Sequence, residues 1–205
     1  MLSGECDHEG KYTIFGQSFK QLKPEYSSFK KNKVDQKAFN VSFFGEGSQD
    51  AGGPFRDCIT NMCGELQSDC LPILIRTQNN KNDHGQFRDC WIPNGHSISF
   101  THLEMFTYFG AMLGWALRST SALNLDLPPL FWKKILNEPL GLSNLKEIDT
   151  FTWKMISDLQ TQMESMTAEE FDSSVDQNFT THLSNGTEVE LCYKGREKRV
   201  TKANA

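Results

Sequence analysis

With 205 residues, 38% of them hydrophobic and 23% charged, the chain is long enough to bury a substantial core, as one domain or as a piece of a larger one. Its net charge of −5, with no basic stripe interleaved with aromatics, excludes general nucleic-acid binding. No secretory signal opens the sequence, and the longest apolar segment, Leu103 to Leu117, contains Glu104 and is too short to cross a bilayer at about 1.5 Å per residue, so a cytoplasmic protein without membrane contact is expected.

Residues 1–39 read as a lead-in segment. They are polar and lysine-rich, with aromatics at Tyr12, Phe15, Phe19, Tyr26 and Phe29 that suit an extended arm or a short helix packing on the body of the domain. The chain is organised around the next stretch, Asn40 to Leu66. Val41 to Phe44, β-branched and aromatic, predicts a short buried strand ending at Gly45. A loop containing Gly45, Gly47, Gly52 and Gly53 follows, and Pro54 stands where a first helical residue belongs. Phe55, Cys58, Ile59, Met62, Cys63 and Leu66 then fall on one helical face. A strand, a glycine loop and a helix can cradle phosphate. This loop carries Glu46 and Asp50, has no basic residue before Arg56, and matches neither the Walker nor the dinucleotide glycine spacing. It is therefore expected to be architectural, its glycines supplying positive φ and its acids capping N–H groups.

Leu71 to Ile75 predicts a buried strand, Gln78 to Gln86 an exposed loop, and Cys90 to Ile98 an extended segment turning at Pro93, Asn94 and Gly95. From Thr101 to Arg118 the chain is apolar on nearly every side, which predicts a central buried helix whose Gly110 and Gly114 admit a close neighbour. His102, at its start, reads as a surface or capping group. Leu123, Leu125 and Leu127 alternate with Asn124 and Asp126, a short extended segment with one buried edge. Pro128 and Pro129 open a helix carrying Leu130, Phe131, Ile135 and Leu136, and Ser143 is expected to cap another short one. A helix from Asp149 puts Trp153, Ile156, Leu159 and Met163 on one face and leads to Thr167 and Glu170, spaced as a capping box. Val175 to Leu183 and Thr187 to Tyr193 then predict a β hairpin about Asn185 and Gly186.

Cysteines stand at 6, 58, 63, 70, 90 and 192 with no C-x-x-C pair, and the histidines do not cluster near them, so unbridged thiols, no metal and no cofactor are expected. Cys192 is followed by Lys194 and Arg196, but strand alternation places it with Glu188 and Glu190, and acidic neighbours oppose a thiolate. No Ser/His/Asp or Cys/His constellation supports a standalone hydrolase or transferase.

The run Gly45-Glu46-Gly47, Asp50, Gly52-Gly53, Arg56-Asp57 resembles the opening of the HECT ubiquitin-ligase domain, in which a strand, an acidic glycine loop and a helix begin the N-terminal lobe. Leu71 to Ile75, Gly85 and Arg88-Asp89-Cys90 are most similar to the large HERC subgroup. Phe106, Phe109-Gly110, Leu113-Gly114, Leu125-Asp126-Leu127, Trp132-Lys133, Leu145 and Asp149 keep the family order.

The resemblance implies an α+β, mainly helical, HECT N-lobe-like fold, truncated, with a central buried helix, short strands and a C-terminal β hairpin. It implies a large N-lobe subdomain over 40–148, part of the small subdomain that docks the E2 ubiquitin-conjugating enzyme over 149–205, and an absent C-lobe. The active-site cysteine then lies outside this chain, and no residue here is assigned a catalytic role. Partners implied are the E2 enzyme, ubiquitin and an unknown protein substrate. By position, Thr152, Trp153, Ile156, Val175 and Gln177 match the E2 contact, although Thr152 and Gln177 are polar where the family favours apolar anchors. Gly45, Glu46, Gly47, Asp50, Gly52 and Gly53 form the family's structural motif. A catalytically empty E2-binding or protein-interaction module is the alternative.

Overall fold

A computed structural model describes residues 6–23, 37–42, 52–182 and 187–204, with the backbone alone at Gln162 and His182. The chain divides into two compact units, Met1–Asp149 and Thr150–Ala205. The fold is α+β and mainly helical.

The first helix, α1 (Ile14–Leu22), lies in the lead-in segment and is part of the core, burying Phe15 and Phe19. Its start is held by three carboxyl or hydroxyl groups. Thr13 Oγ1 accepts the Gly16 N–H at 3.1 Å, and Glu65 accepts the N–H groups of Ile14 and Phe15 at 2.8 and 2.7 Å. Asp7 accepts from the Lys11, Tyr12 and Thr13 N–H groups and from the Thr13 hydroxyl. An α-helix leaves its first N–H groups without intrahelical partners, and here a carboxylate distant in sequence supplies two of them. Gly16 is required for packing, because a Cβ there would stand 2.3 Å from the Gly10 Cα.

Helix α2 (Gly53–Leu66) supplies Glu65 and buries all six residues of the expected face, Phe55, Cys58, Ile59, Met62, Cys63 and Leu66. Asn40 to Ser42 is irregular backbone, not strand, with Val41 packed against the core; the rest of the expected strand, Phe43 and Phe44, lies outside the described residues. Strand β1 (Leu74–Arg76) follows the buried Leu71 and Ile73, and pairs antiparallel with β2 (Trp91–Pro93) in the register Leu74↔Pro93, Ile75↔Ile92, Arg76↔Trp91. The cross-strand pair sets the Arg76 guanidinium 5.4 Å from the Trp91 ring.

The expected exposed loop after β1 begins as a turn of helix, α3 (Gln78–Lys81), capped by Thr77. Within it Asn79 is fully buried: its amide donates to the Gln86 and Lys146 carbonyls, and its N–H to the Ile148 carbonyl. A polar composition therefore conceals a buried clamp, in which the amide satisfies backbone groups that burial would otherwise leave bare.

The long helix α4 (Phe100–Ser119) is central but not buried all round. Met105, Tyr108, Phe109, Met112, Trp115, Ala116 and Ser119 form one buried stripe, while Phe100, Leu103 and Leu117 are exposed. The two glycines do not serve close packing: a Cβ at Gly110 would meet nothing within 4 Å, and one at Gly114 only an arginine tip at 3.6 Å. The Tyr108 hydroxyl donates to Ser18 Oγ, which in turn donates to the Phe15 carbonyl, tying α4 to α1. Burial, opposed only partly by that hydrogen bond, pushes the Tyr108 phenol well above its ordinary range.

Residues 121–127 run extended with Leu123, Leu125 and Leu127 half-buried and Ala122, Asn124 and Asp126 exposed, the expected alternation. From β2 the Trp91 N–H donates to the Asp126 carbonyl at 2.9 Å, and the Gln67 side chain adds the other edge contacts, donating to the Asn124 carbonyl and accepting the Asp126 N–H. Helix α5 (Pro129–Ile135) buries Phe131, and the Glu147 carboxylate accepts its Leu130 N–H. Ser143 is not a cap. It lies inside α6 (Leu142–Leu145), whose N-cap is Gly141, with the Asn144 side chain accepting the Gly141 N–H.

The second unit opens with α7 (Thr150–Ser165) and α8 (Ala168–Ser174). The capping box at the start of α8 forms in both directions, Glu170 N–H to Thr167 Oγ1 and Thr167 N–H to Glu170 Oε2. These two groups of Thr167 hold the Glu170 carboxyl below its ordinary range. The hairpin is shorter than its sequence suggests, β3 (Thr180–His182) against β4 (Glu188–Glu190), with Thr181 opposite Val189. Its turn lies outside the described residues.

Candidate functional site

Three places in the molecule could carry function: the glycine loop before α2, the thiols, and the surface of the second unit. Of the loop motif, Gly45, Glu46, Gly47 and Asp50 lie outside the described residues. Gly52 is the N-cap of α2 at φ 114°, a conformation that disfavours any side chain. Gly53 has open space around its Cα. Beside them a cavity of about 660 Å³ is lined by Lys37, Arg56, Thr60, Trp115, Ser119 and Ser121 among others. Among the described residues its lining offers hydroxyls and cations.

All six thiols are unbridged. Cys58, Cys63 and Cys90 are buried, and burial raises the Cys63 thiol above its ordinary value. Burial, followed by the charges of Asp126 and Asp89, pushes Cys90 up to about 11. A nucleophilic cysteine needs the opposite environment, electropositive and open. Cys192 is half-buried, and the strand expected to align it with Glu188 and Glu190 ends at Glu190; Cys192 instead begins the turn closed by the Gly195 N–H on its carbonyl at 3.0 Å.

On α7, Thr152, Trp153 and Ile156 share one half-buried face with Met163. Leu159 departs from them. It joins Phe151 and Met155 in an exposed apolar stripe at helical spacing, with Lys154 and Asp158 beside it. That i, i+4, i+8 spacing is present in the sequence but is masked by Trp153, whose bulk draws the apolar face toward itself.

Val175 and Gln177 sit in irregular backbone after α8, Val175 half-buried and Gln177 exposed. Chain from the C-terminal side of the unit fixes both. Arg199 donates to the carbonyls of Asp172 and Val175, and the Val200 N–H donates to the Gln177 carbonyl at 2.8 Å. Lys202 extends the clasp, its N–H on Asp172 Oδ1 and its ammonium on the Met166 carbonyl. Beside it, the Phe179 N–H is shared between the Gly195 and Lys198 carbonyls, and the Lys198 ammonium lies 4.8 Å from the Phe179 ring. Gly195 is required in this crossing, since a Cβ would come within 2.3 Å of the Phe179 carbonyl oxygen. Among the described residues the arrangement has no nucleophile–base pair. It is a surface of apolar and polar side chains on a backbone held by hydrogen bonds from the 199–202 segment.

Residues 60–205 match the family model described as HECT-domain (ubiquitin-transferase). The chain is similar to the mouse (Mus musculus) E3 ubiquitin-protein ligase HERC2, 31% identical over 194 residues, covering 93% of this chain and 4% of the relative. Its human counterpart matches at 30% over the same length. The human probable E3 ubiquitin-protein ligase HECTD4 is 31% identical over 176 residues, 78% of this chain and 4% of that protein. The chain thus spans about one twenty-fifth of the length of these relatives.

Proposed function

Because this chain belongs to the HECT ubiquitin-transferase family, we propose that it is the front, N-lobe part of an E3 ubiquitin-protein ligase, docking a ubiquitin-charged E2 enzyme in a cytoplasmic setting. The observation that carries this reading is the family match, which runs through both units and is joined by relatives named as E3 ligases. The large subdomain spans 40–148 and the docking subdomain begins at 149. Transfer follows the logic of covalent catalysis, one acyl transfer split into two thioester exchanges, with the accepting cysteine supplied from outside this chain. The buried, raised thiols of Cys63 and Cys90 support that assignment.

Docking uses Thr152, Trp153, Ile156, Val175 and Gln177, with the glycine run from Gly45 to Gly53 acting as scaffold. Support comes from the clasp that holds the Val175 and Gln177 backbone in place before any partner arrives, which reduces the ordering cost of association. Binding is tested by titrating the chain with a panel of ubiquitin-charged E2 enzymes. Ile156→Asp should weaken the best binder about tenfold or more, as loss of an apolar anchor does. No affinity for any charged E2 would refute docking. A reductant-sensitive ubiquitin adduct abolished by Cys192→Ser would refute the external cysteine. The same thiol burial favours, as second reading, a binding module that takes no part in transfer; adding a HECT C-lobe in trans distinguishes them, since only the ligase part then discharges the E2.

A further inference from the structure

We propose that Cys6 and Cys70 form a redox latch, closed by an oxidised small-molecule disulfide into an intramolecular bridge that staples the segment before α1 to the loop between α2 and β1. The two residues are the half-buried thiols of the first unit, whereas Cys58, Cys63 and Cys90 are enclosed. Their backbones are already joined: the Asp7 N–H donates to the Cys70 carbonyl at 2.7 Å. That hydrogen bond, from the residue after one cysteine to the carbonyl of the other, brings the two segments side by side, and a bridge between them calls for α-carbons roughly 4.4–6.8 Å apart.

Both sides of this approach are fixed. The Asp7 carboxylate anchors the 6–13 loop through four hydrogen bonds, and the Cys70 N–H donates to Ser68 Oγ at 3.2 Å. Burial first, then the charges of Asp7, Cys70 and Asp69, raise the Cys6 thiol above its ordinary value of 9.0. Cys6 is therefore protonated near neutrality, and closing the bridge needs an oxidised disulfide to take up the two electrons.

The chemistry is thiol–disulfide exchange. One cysteine thiolate attacks a sulfur of a disulfide such as oxidised glutathione, releasing one glutathione thiolate and leaving a mixed disulfide. The second cysteine thiolate attacks the protein sulfur of that adduct and displaces the other glutathione. Two electrons pass from the protein to the small disulfide, and the two thiol protons end on the two glutathiones released.

The test incubates the 205-residue chain with oxidised glutathione and follows alkylatable thiols, intact mass and thermal unfolding. The expected product is a monomer about 2 Da lighter, with two thiols lost and Tm raised by about 5–10 °C, because the bridge closes a long loop in the unfolded chain. Dithiothreitol reverses all three changes. Cys6→Ser and Cys70→Ser each abolish them, while Cys192→Ser leaves them intact. A stable glutathione adduct, a bridge between two copies, or closure without a rise in Tm would each overturn the latch.

Discussion

The two units hold themselves together by different means. In the first, Phe15, Met62, Leu66, Leu71, Ile73, Leu74, Met105 and Tyr108 are essentially without solvent exposure, and aromatic contacts such as Phe55 on Trp115 at 5.3 Å link α2 to α4. In the second, Phe171 is the one large apolar side chain fully enclosed among the described residues, and the remainder is held by backbone hydrogen bonds and the basic clasp of Arg199 and Lys202. A densely packed core loses about 2–5 kcal/mol for each large side chain truncated. A hydrogen-bonded shell contributes about 0.5–1.5 kcal/mol per bond and opens locally at less cost. The difference sets a densely packed core in the first unit beside a hydrogen-bonded shell in the second.

Phe171→Ala is expected to have the largest effect, removing about 3–5 kcal/mol from a unit with little else buried. Hydrogen exchange should then show the second unit opened while α2 and α4 stay protected; equal loss in both would abolish the contrast. Next come the two crossings that require glycine. Gly16→Ala and Gly195→Ala each drive a Cβ into backbone at 2.3 Å, and each should cost about 2–3 kcal/mol in its own unit only.

Glu65→Ala removes the acceptor for the Ile14 and Phe15 N–H groups and should lower the stability of the first unit by about 1–2 kcal/mol, read by denaturant titration. Acid acts on the same region. Burial alone would raise the Asp7 carboxyl, but the N–H groups of Thr13, Tyr12 and Lys11 and the Thr13 hydroxyl together hold it below its ordinary 3.8. A folded-state value below the unfolded one means that this stabilisation is complete above about pH 4 and is lost as pH falls through the folded value. Protection of α1 should decline over that acid range, and Asp7→Asn should remove the dependence. The smallest effect has the opposite sign: Gly110→Ala, with open space around it in a helix, should stabilise by about 0.5–1 kcal/mol.

Much of this fold is legible in the sequence because periodicity reports directly on a face. The six apolar residues of α2 fall where their spacing predicts, as does the capping box from Thr167 to Glu170. Asn79 is not legible, because a polar residue in a polar stretch gives no sign that three backbone groups from elsewhere will converge on it. The glycines of α4 mislead for a related reason: glycine in a helix permits close approach but does not summon a neighbour. On α7, Trp153 and Ile156 do share a face, while the exposed stripe of Phe151, Met155 and Leu159 emerges only once solvent exposure is resolved residue by residue.

By itself, then, the amino-acid order determined the family, the helical segments and the apolar faces, since these depend on neighbours a few positions apart. Only the tertiary structure decided that Glu65 caps α1, that Gln67 serves as an edge partner, that Arg199 and Lys202 clasp α8, and that the Asp7 N–H meets the Cys70 carbonyl. Each of these joins a polar group to one far along the chain. Such pairings leave no periodic trace, because a single hydrogen bond constrains one residue where a buried face constrains every third or fourth.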